Sequence, residues 1–244
     1  MNDPLISFCT TCKGRLYALK ETLQQNLTDN PGADVEFVIL DYNSDDGLAE
    51  WIEENFQNVI RNGRLQYYAS RGQPWFHMAH AKNCVHRLAR GKWVCNLDAD
   101  NFTGPGFAKY LKEQFRIHRL LHIAYQSANG RVALSAIDFQ ALGGYDESFP
   151  GYGWDDNDLK ARAESSGLSS YQIPSDSPYT RSLDDTLHKR KEHYPPSLHD
   201  IISSNEINKS CSESNVAAGR LVANAGKRWG SIIVRHNFQD YITL

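Results

Sequence analysis

Several features that define common protein classes are missing from this 244-residue sequence. No stretch approaches the ~18 consecutive apolar residues that a membrane-spanning helix needs. The first residues, MNDPLISF, lack the positive and apolar regions of a signal peptide. The net charge of −3 offers no broad cationic field, so a nucleic-acid partner is not expected. These absences favour a cytoplasmic protein without a transmembrane segment, and they leave peripheral binding at the inner face of a membrane open.

Cysteine is sparse, and the five cysteines are an odd number. This number argues against a disulfide framework. Cys9 and Cys12 have the spacing of half a zinc or redox motif, but no second cysteine pair answers them, and Cys9 lies in an apolar run. Buried, reduced thiols are therefore expected.

Glycine-rich phosphate-binding motifs are also absent. The sequence contains neither Gly-x-Gly-x-x-Gly nor Gly-Lys-Ser/Thr, so neither a dinucleotide-dependent oxidoreductase nor a P-loop enzyme is favoured. Phosphate groups would instead be met by a metal ion and by cationic side chains. Lys82 and Arg15 are the candidates, although a solvated position on a helix explains either residue equally well.

What the sequence does contain is a hydrophobic pattern that alternates between strand and helix. Apolar runs at 5–10, 35–40, 65–68 and 93–97 predict strands, and helical spacing between them predicts three intervening helices. Short alternating units of this kind indicate an α/β fold with a parallel sheet and right-handed crossovers.

The second half of the chain shows a looser order of elements. The pattern predicts helices and strands at 106–117, 122–126, 132–135, 137–142 and 155–167. A distinct tail follows from about residue 197, with a predicted helix near 216–225 and an apolar strand at 231–234. This tail is either an extra lobe or the contact surface of a homodimer.

The segment NLDADNF places Asp98 and Asp100 directly after the fourth predicted strand. Open α/β sheets hold ligands at the carboxyl ends of their strands, and a two-residue spacing directs both carboxylates into one crevice. Mg²⁺ and Mn²⁺ prefer oxygen ligands and, with nucleotide substrates, are usually held by carboxylates together with phosphate oxygens. The pair therefore indicates a divalent cation bound to a diphosphate, although Asp-x-Asp is also common in turns.

Two other predicted strands end in polar side chains. Thr10 and Thr11 follow the first strand and Asp41 follows the second, so they should project at the same rim as Asp98 and Asp100. A carboxylate at position 41 can accept a hydrogen bond from a ribose hydroxyl, as acidic groups do in dinucleotide sites. An Asx-turn or a cap for the next helix is the alternative role for Asp41.

Four segments together resemble a family of sugar-transferring enzymes. SFCTTCKGR, VILDYNSDDG and AHAKNCVHRLARGKWVCNLDADN resemble the nucleotide-sugar half of family 2 glycosyltransferases with the GT-A fold. NGRVALSAIDFQALGGYDESFPGYGWDDNDLKAR resembles the acceptor half of the β-1,4-galactosyltransferases and related bacterial enzymes. The resemblance implies a GT-A domain with a mixed, mainly parallel sheet flanked by helices. Its bounds would be 1–196, with a nucleotide-sugar half at 1–103, an acceptor half at 104–196, and a C-terminal helical extension at 197–244.

The resemblance implies a reaction and its partners. A sugar would move, with inversion, from a nucleotide diphosphate donor, most often a UDP-hexose or UDP-N-acetylhexosamine. The acceptor would be a hydroxyl of a glycan or of a lipid-linked or protein glycoconjugate, in polysaccharide or glycoconjugate assembly. The implied cofactor is a divalent cation, Mn²⁺ or Mg²⁺.

The resemblance also assigns roles to residues of the nucleotide-sugar half. Asp100 would bind the metal directly, and Asp98 would contact the ribose or the metal shell. Asp41 would contact the nucleoside. Thr10 and Arg15 would line the nucleoside pocket. Lys82 would lie near the base or the diphosphate.

In the acceptor half, the resemblance assigns the catalytic base to Asp156. A sugar hydroxyl would attack the anomeric carbon while this base accepts its proton. Asp155 stands where the family has glutamate and would bind the acceptor. Tyr152 falls at a tryptophan position and Trp154 replaces a glycine, so a rebuilt acceptor platform is expected. Asp158 is assigned to the helix N-terminus, which acidic residues stabilise.

A second set of metal ligands comes from the segment after the acceptor helix. His188 lies at about the distance at which the family places a metal-binding histidine, and Asp185 precedes it by three residues. Surface charge is the alternative role for both residues.

Two other functions remain compatible with the sequence. A sugar-nucleotide nucleotidyltransferase would use a similar sheet and metal, but the glycine-rich loop expected after its first strand is missing. A non-catalytic carbohydrate-binding domain would need no base, so replacement of Asp156 would leave its affinity intact.

Overall fold

Nine strands form one mixed sheet in the computed structural model, which describes residues 5–124, 128–183, 192–198 and 200–244. The strands are β1 Ile6–Cys12, β2 Val35–Asp41, β3 Leu65–Ser70, β4 Trp93–Asn96, β5 Leu120–Ile123, β6 Val132–Ser135, β7 Ser170–Ile173, β8 Ile233–His236 and β9 Tyr241–Thr243. The α-helices are α1 Leu16–Asp29, α2 Leu48–Arg61, α3 Met78–Leu88, α4 Phe107–Gln114, α5 Ala136–Ala141, α6 Asp155–Ser165 and α7 Ile201–Ala217.

The centre of the sheet is parallel, and antiparallel strands lie to either side. The strand order is β7-β5-β6-β4-β1-β2-β3-β8-β9. β1 pairs in parallel with β2 and β4, and β2 pairs in parallel with β3. β6 runs antiparallel to β4 and β5, and β8 runs antiparallel to β3. The predicted mixed sheet flanked by helices is confirmed, as are the four strands of the first half.

Apolar residues fill both faces of the sheet. Every residue of β2 is buried, as its continuous apolar run predicts for a central parallel strand. On one face, the Phe8 ring lies 5.0 Å from Phe37 and 5.9 Å from Phe107. On the opposite face, α3 and the acceptor half pack against β1 and β2 through residues such as Val85 and Tyr145.

All five cysteines lie in the described ranges and are free. Cys9, Cys12, Cys84 and Cys95 are buried, and Cys211 is partly exposed. The expectation of buried thiols is therefore confirmed for four of the five. No helix in the described part of the chain is long and apolar enough to cross a membrane.

The tail after residue 197 packs on the rest of the chain. Its helix spans Ile201–Ala217, so the helix predicted near 216–225 is wrong. The buried residues of α7 are the polar Ser204, Asn208 and Ser212, and the helix packs against α6. Asn208 Nδ2 donates to the carbonyls of Pro150 at 3.1 Å and Gly153 at 2.8 Å.

The last two strands extend the sheet at β3. Asn237, in the turn between β8 and β9, accepts a hydrogen bond from the Tyr67 backbone N–H at 2.8 Å through its side-chain oxygen. The Phe238 ring stacks on the Tyr67 ring at 5.0 Å. Residues 233–243 therefore cover the edge of a strand whose other neighbour is β2.

Candidate active site

A cavity of about 230 Å³, here called the acidic cavity, opens where the carboxyl ends of β1 and β4 meet the start of α6. It brings together eight of the predicted site residues. These are Arg15, Lys82, Asp98, Asp100, Tyr152, Trp154, Asp155 and Asp156. Asp100 and Asp156 come from opposite halves of the sequence, and both line this cavity.

The loop after β4 supplies the first two carboxylates. Asp98 Oδ1 accepts a hydrogen bond from Asn96 Nδ2 at 3.1 Å. Asp100 is buried, and its Oδ2 forms an ion pair with Arg15 Nη2 at 2.9 Å. Arg15 therefore lies beside Asp100, where its cationic side chain also suits a diphosphate.

The first turn of α6 supplies the other two carboxylates, and Lys82 from α3 joins them. Lys82 Nζ lies 2.6 Å from Asp155 Oδ2 and 2.7 Å from Asp156 Oδ1. Burial on its own lowers the pKa of the Lys82 ammonium, but the two carboxylates raise that pKa well above its usual value. The lysine is therefore charged and holds the two aspartates together.

Asp156 has the most informative protonation equilibrium in the cavity. Burial, followed by the carboxylate of Asp155, raises the pKa of Asp156 to about 7, while the nearby Lys82 ammonium lowers it. An acid that titrates near neutral pH suits a group that accepts a proton and later releases it. Asp158, by contrast, is fully buried in the first turn of α6, and it pairs with Arg162 at 2.7 Å rather than capping the helix.

Gly130 separates the two pairs of carboxylates. A Cβ atom at this position would lie 2.8 Å from Asp98 Oδ2 and 3.2 Å from Asp156 Oδ2. A side chain here would therefore displace the Asp98 and Asp156 carboxylates from their present positions. Asn96 Nδ2 also donates to the Gly130 carbonyl at 2.9 Å, which fixes this turn beside the loop after β4.

Tyr152 and Trp154 form the aromatic side of the cavity. Trp154 has a φ of 64°, in the left-handed region that favours glycine. At this position the family has glycine where this sequence has tryptophan. The backbone conformation here is one that glycine adopts without strain. The Lys209 ammonium lies 5.3 Å from the centre of the Trp154 ring, and the Tyr152 ring meets the Tyr194 ring edge to face at 6.5 Å.

Two predicted donor residues lie outside the acidic cavity. Thr10 is buried, and its hydroxyl donates to the Leu97 carbonyl at 2.7 Å. Strand side chains alternate, and the neighbouring Thr11 lines the acidic cavity.

Asp41 lines a separate pocket of about 180 Å³, at the ends of β2 and β3. Its Oδ1 accepts from the Ser44 backbone N–H at 2.8 Å, and its Oδ2 accepts from the Tyr67 hydroxyl at 2.6 Å. Burial raises the pKa of this carboxyl, and both hydrogen bonds oppose that rise. Asp41 thus holds the turn after β2, which was the alternative role expected for it.

Several cavity residues carry no recognisable motif. Lys13 donates to the carbonyls of Asn43 at 2.8 Å and Gln73 at 3.0 Å, and Asn129 accepts from Lys160 at 2.9 Å. The others that the sequence did not indicate are Phe76, Met78, Asn157, His193, Tyr194 and Asn205. Two sequence features could have indicated part of this set. One is the turn before β6, which contains Asn129, and the other is the position of Lys13 directly after β1.

The carboxylates of the cavity suit a hard divalent cation. Asp98 and Asp100 provide oxygen donors, which Mg²⁺ and Mn²⁺ prefer, and such ions take further oxygens from substrate phosphates. Among the residues that the structure describes, no three His, Cys, Asp or Glu side chains form a complete metal site. His188 and Asp185 lie outside the described residues. A cation held by Asp98 and Asp100 would therefore depend on donor phosphates for its remaining ligands or on groups beyond the described part.

Comparison with known proteins agrees with this architecture. The model of glycosyl transferase family 2 matches residues 7–130, and that of the N-terminal domain of galactosyltransferase matches residues 118–189. No curated protein sequence matches the chain.

Solved structures share the fold at low identity. The mannosyltransferase PcManGT from Pyrobaculum calidifontis, in complex with GDP-Man and Mn²⁺, is 17% identical with a TM-score of 0.61, over 93% of this chain and 77% of that one. S. aureus TarS 1–349 is 15% identical with a TM-score of 0.58, over 72% of this chain and 59% of that one. The same TarS region in complex with UDP-GlcNAc gives a TM-score of 0.54 at 12% identity, over 77% of this chain and 64% of that one.

The fold is therefore the GT-A fold of these enzymes, although the chain spans only 59% of the TarS 1–349 chain. The family 2 model covers just over half of the sequence, and the structure places the matched strands at the centre of the sheet. The chain belongs to glycosyl transferase family 2.

Proposed function

We propose that this protein is an inverting, metal-dependent glycosyltransferase. It moves a sugar, as a hexose or N-acetylhexosamine, from a nucleotide diphosphate donor to a hydroxyl of a glycan or glycoconjugate. One observation carries the proposal: the aspartates after β4 and Asp156 at the start of α6 line the same cavity, in a chain that belongs to glycosyl transferase family 2.

The two pairs of carboxylates support two separate tasks. Asp98 and Asp100 would hold Mn²⁺ or Mg²⁺, which when bound neutralises charge on a departing diphosphate. Arg15, at 2.9 Å from Asp100, adds a fixed positive charge on the same side. These groups address the leaving end of the donor.

Asp156 addresses the attacking end. Its Oδ1 accepts from Lys82 and its Oδ2 faces the Gly130 turn, so the carboxylate is held in one orientation. In its ionised form it accepts the proton of the acceptor hydroxyl as that oxygen bonds to the anomeric carbon. Inversion follows from one direct displacement with the base and the leaving group on opposite sides of the reacting sugar.

UDP-sugars are the proposed donors. The TarS structure with UDP-GlcNAc and the PcManGT structure with GDP-Man share this fold, so both nucleotides belong in the test. The cavity provides aromatic and carboxylate side chains for a sugar acceptor, namely Tyr152, Trp154 and Asp155.

A donor and metal panel tests the proposal. The purified protein is incubated with UDP-, GDP- and dTDP-sugars in the presence of Mn²⁺, Mg²⁺ or EDTA, and release of nucleoside diphosphate and thermal protection are both measured. We expect one nucleotide class to be released with metal and not with EDTA. Pyrophosphate release from a nucleoside triphosphate and a sugar 1-phosphate would instead indicate a nucleotidyltransferase. Protection by free glycans without any donor turnover would indicate a carbohydrate-binding domain.

A further inference from the structure

A second cavity lies next to the acidic cavity and has no role in the chemistry described so far. It has a volume of about 390 Å³ and is lined by Gly72–His77, Glu147–Gly151, Pro195 and Leu198; we call it the aromatic groove. We propose that the aromatic groove binds the second sugar of an oligosaccharide acceptor whose first sugar occupies the acidic cavity. This inference rests on the proposed glycosyl transfer.

The two cavities share one wall. Phe76 lines both of them. Its ring meets the Tyr194 ring edge to face at 5.8 Å, and Tyr194 in turn meets Tyr152. The Phe76 backbone N–H donates to the His193 carbonyl at 2.7 Å, which ties the segment 192–198 to this wall. When an oligosaccharide places its first sugar in the acidic cavity by passing these rings, its second sugar lies beside the groove.

The segments that line the groove continue directly into the acidic cavity. Residues 72–77 lead into Met78, and residues 147–151 lead into Tyr152. The third segment runs the other way, from Tyr194 in the acidic cavity to Pro195 in the groove. The two spaces are therefore successive parts of one binding surface around the proposed acceptor position.

The chemistry of the groove suits a sugar ring. Trp75 is 43% exposed and presents a flat apolar ring face, on which the C–H face of a pyranose stacks. Phe76 and the buried Phe149 complete the apolar part of the lining. Gln73, His77 and Glu147 add polar groups to the same lining. A lipid chain would need apolar walls alone, whereas a sugar uses ring faces and hydrogen-bonding groups together.

Gln73 gives an independent indication of a polar ligand. Its side-chain Oε1 is buried, and no donor among the described residues reaches it. Buried acceptors in folded proteins are nearly always satisfied. A small rotation of this amide would offer its oxygen to a hydroxyl of the sugar in the groove.

The test compares short and extended acceptors on wild-type protein and on Trp75→Ala. The acceptors are methyl glycosides of common hexoses and N-acetylhexosamines, and disaccharide methyl glycosides that end in the same sugars. We expect disaccharides to have a KM about tenfold lower than the matching methyl glycosides, and Trp75→Ala to remove this difference. The kcat and the donor KM should stay unchanged. Ile117→Ala, which removes an exposed apolar side chain at the opposite end of the sheet, is the control.

The outcomes separate this proposal from the proposed function. If sugar is transferred but Trp75→Ala changes the KM of short and extended acceptors equally, the groove has no role and the function stands. A preference for octyl or p-nitrophenyl glycosides over disaccharides would replace the second sugar by an apolar aglycone and overturn the proposal. If no acceptor supports turnover, saturation-transfer NMR of the same disaccharides decides: contacts from the second sugar that vanish in Trp75→Ala support the groove, and their absence from wild-type spectra rejects it.

Discussion

Asp98 and Asp100 reach the acidic cavity from the end of β4, whereas Asp155 and Asp156 reach it from the start of α6. We call the loop after β4 the sheet side of the cavity and the start of α6 the helix side. The sheet side follows a strand that pairs with a neighbour on each edge. The helix side depends on side chains from distant parts of the chain, namely Lys82 on α3 and Asn208 on α7. Backbone pairing positions one pair of carboxylates, and long-range side-chain contacts position the other.

The comparison predicts that single substitutions separate the two sides, and the largest effect is expected at Asp156. Asp156→Asn removes the proton acceptor but keeps the side-chain size, so kcat for transfer should fall by about 10²- to 10⁴-fold. Donor binding, measured by calorimetry with metal, should remain because the sheet side is intact. Asp176→Asn, at an exposed aspartate, is the control. Unchanged turnover in Asp156→Asn would refute the assigned base.

Asp100→Asn should break the sheet side instead. We expect kcat/KM to fall by about 100-fold, since the cation that would stabilise charge on the leaving diphosphate loses one of its carboxylate ligands. The metal concentration needed for half-maximal activity should rise, which a Mn²⁺ titration measures. If Asp100→Asn and wild type show the same metal dependence, Asp100 does not hold the ion.

Lys82 allows a test that is specific to the helix side, because its positive charge acts on the Asp156 carboxylate. Its ammonium, 2.7 Å from Asp156 Oδ1, favours the ionised carboxylate, so Lys82→Met should raise the pKa of Asp156. The base works only when ionised; activity is therefore present above that pKa and is lost as the pH falls through it. The acidic limb of the kcat profile, near pH 7 in wild type, should move upward by about one unit in Lys82→Met.

Lys82→Arg keeps the positive charge and is the matched control. Its acidic limb should stay close to that of wild type even if kcat falls. A parallel loss of kcat in both variants without any shift in the profile would show that Lys82 has only a packing role.

The smallest effect is expected at Asn208, which connects α7 to the loop before α6. Asn208→Ala leaves the carbonyls of Pro150 and Gly153 without this donor and should cost about 1–3 kcal/mol of stability. The acceptor KM should rise severalfold while the donor KM is unchanged. Asn55→Ala, which removes an exposed hydrogen bond to the Trp51 carbonyl, is the control. Equal changes in donor and acceptor KM would argue against a separate helix side.

The same contrast explains which parts of the structure the sequence predicts. The strands at 35–40 and 93–97 have continuous apolar runs, so Asp98 and Asp100 could be placed at a strand end from the pattern alone. The pattern also indicates that Thr10 and Thr11 end the first strand, but it does not decide which of the two faces the acidic cavity, because one residue reverses the direction of a strand side chain.

The helix side could not be derived from local patterns. Asp156 was indicated only by family resemblance, and its partner Lys82 lies 74 residues earlier in the sequence. The helix α7 was misplaced because the residues that it buries are Ser204, Asn208 and Ser212. Because the buried face of α7 is polar, its sequence does not repeat apolar residues at helical spacing. Hydrogen bonds, rather than burial of apolar surface, define where this helix lies. Gly130 belongs to a turn without a motif, and its importance appears only when the two carboxylates on either side of it are seen together.

The pairing of β8 and β9 beyond β3 has a consequence for synthesis of the chain. Tyr67 donates to Asp41 through its hydroxyl, and its own backbone and ring are held by Asn237 and Phe238. A ribosome delivers Tyr67 some 170 residues before these partners, so the pocket around Asp41 stays incomplete until the final strands emerge. A nascent chain that stalls within α7 would expose the β3 edge, the place where pairing with another chain is most readily nucleated.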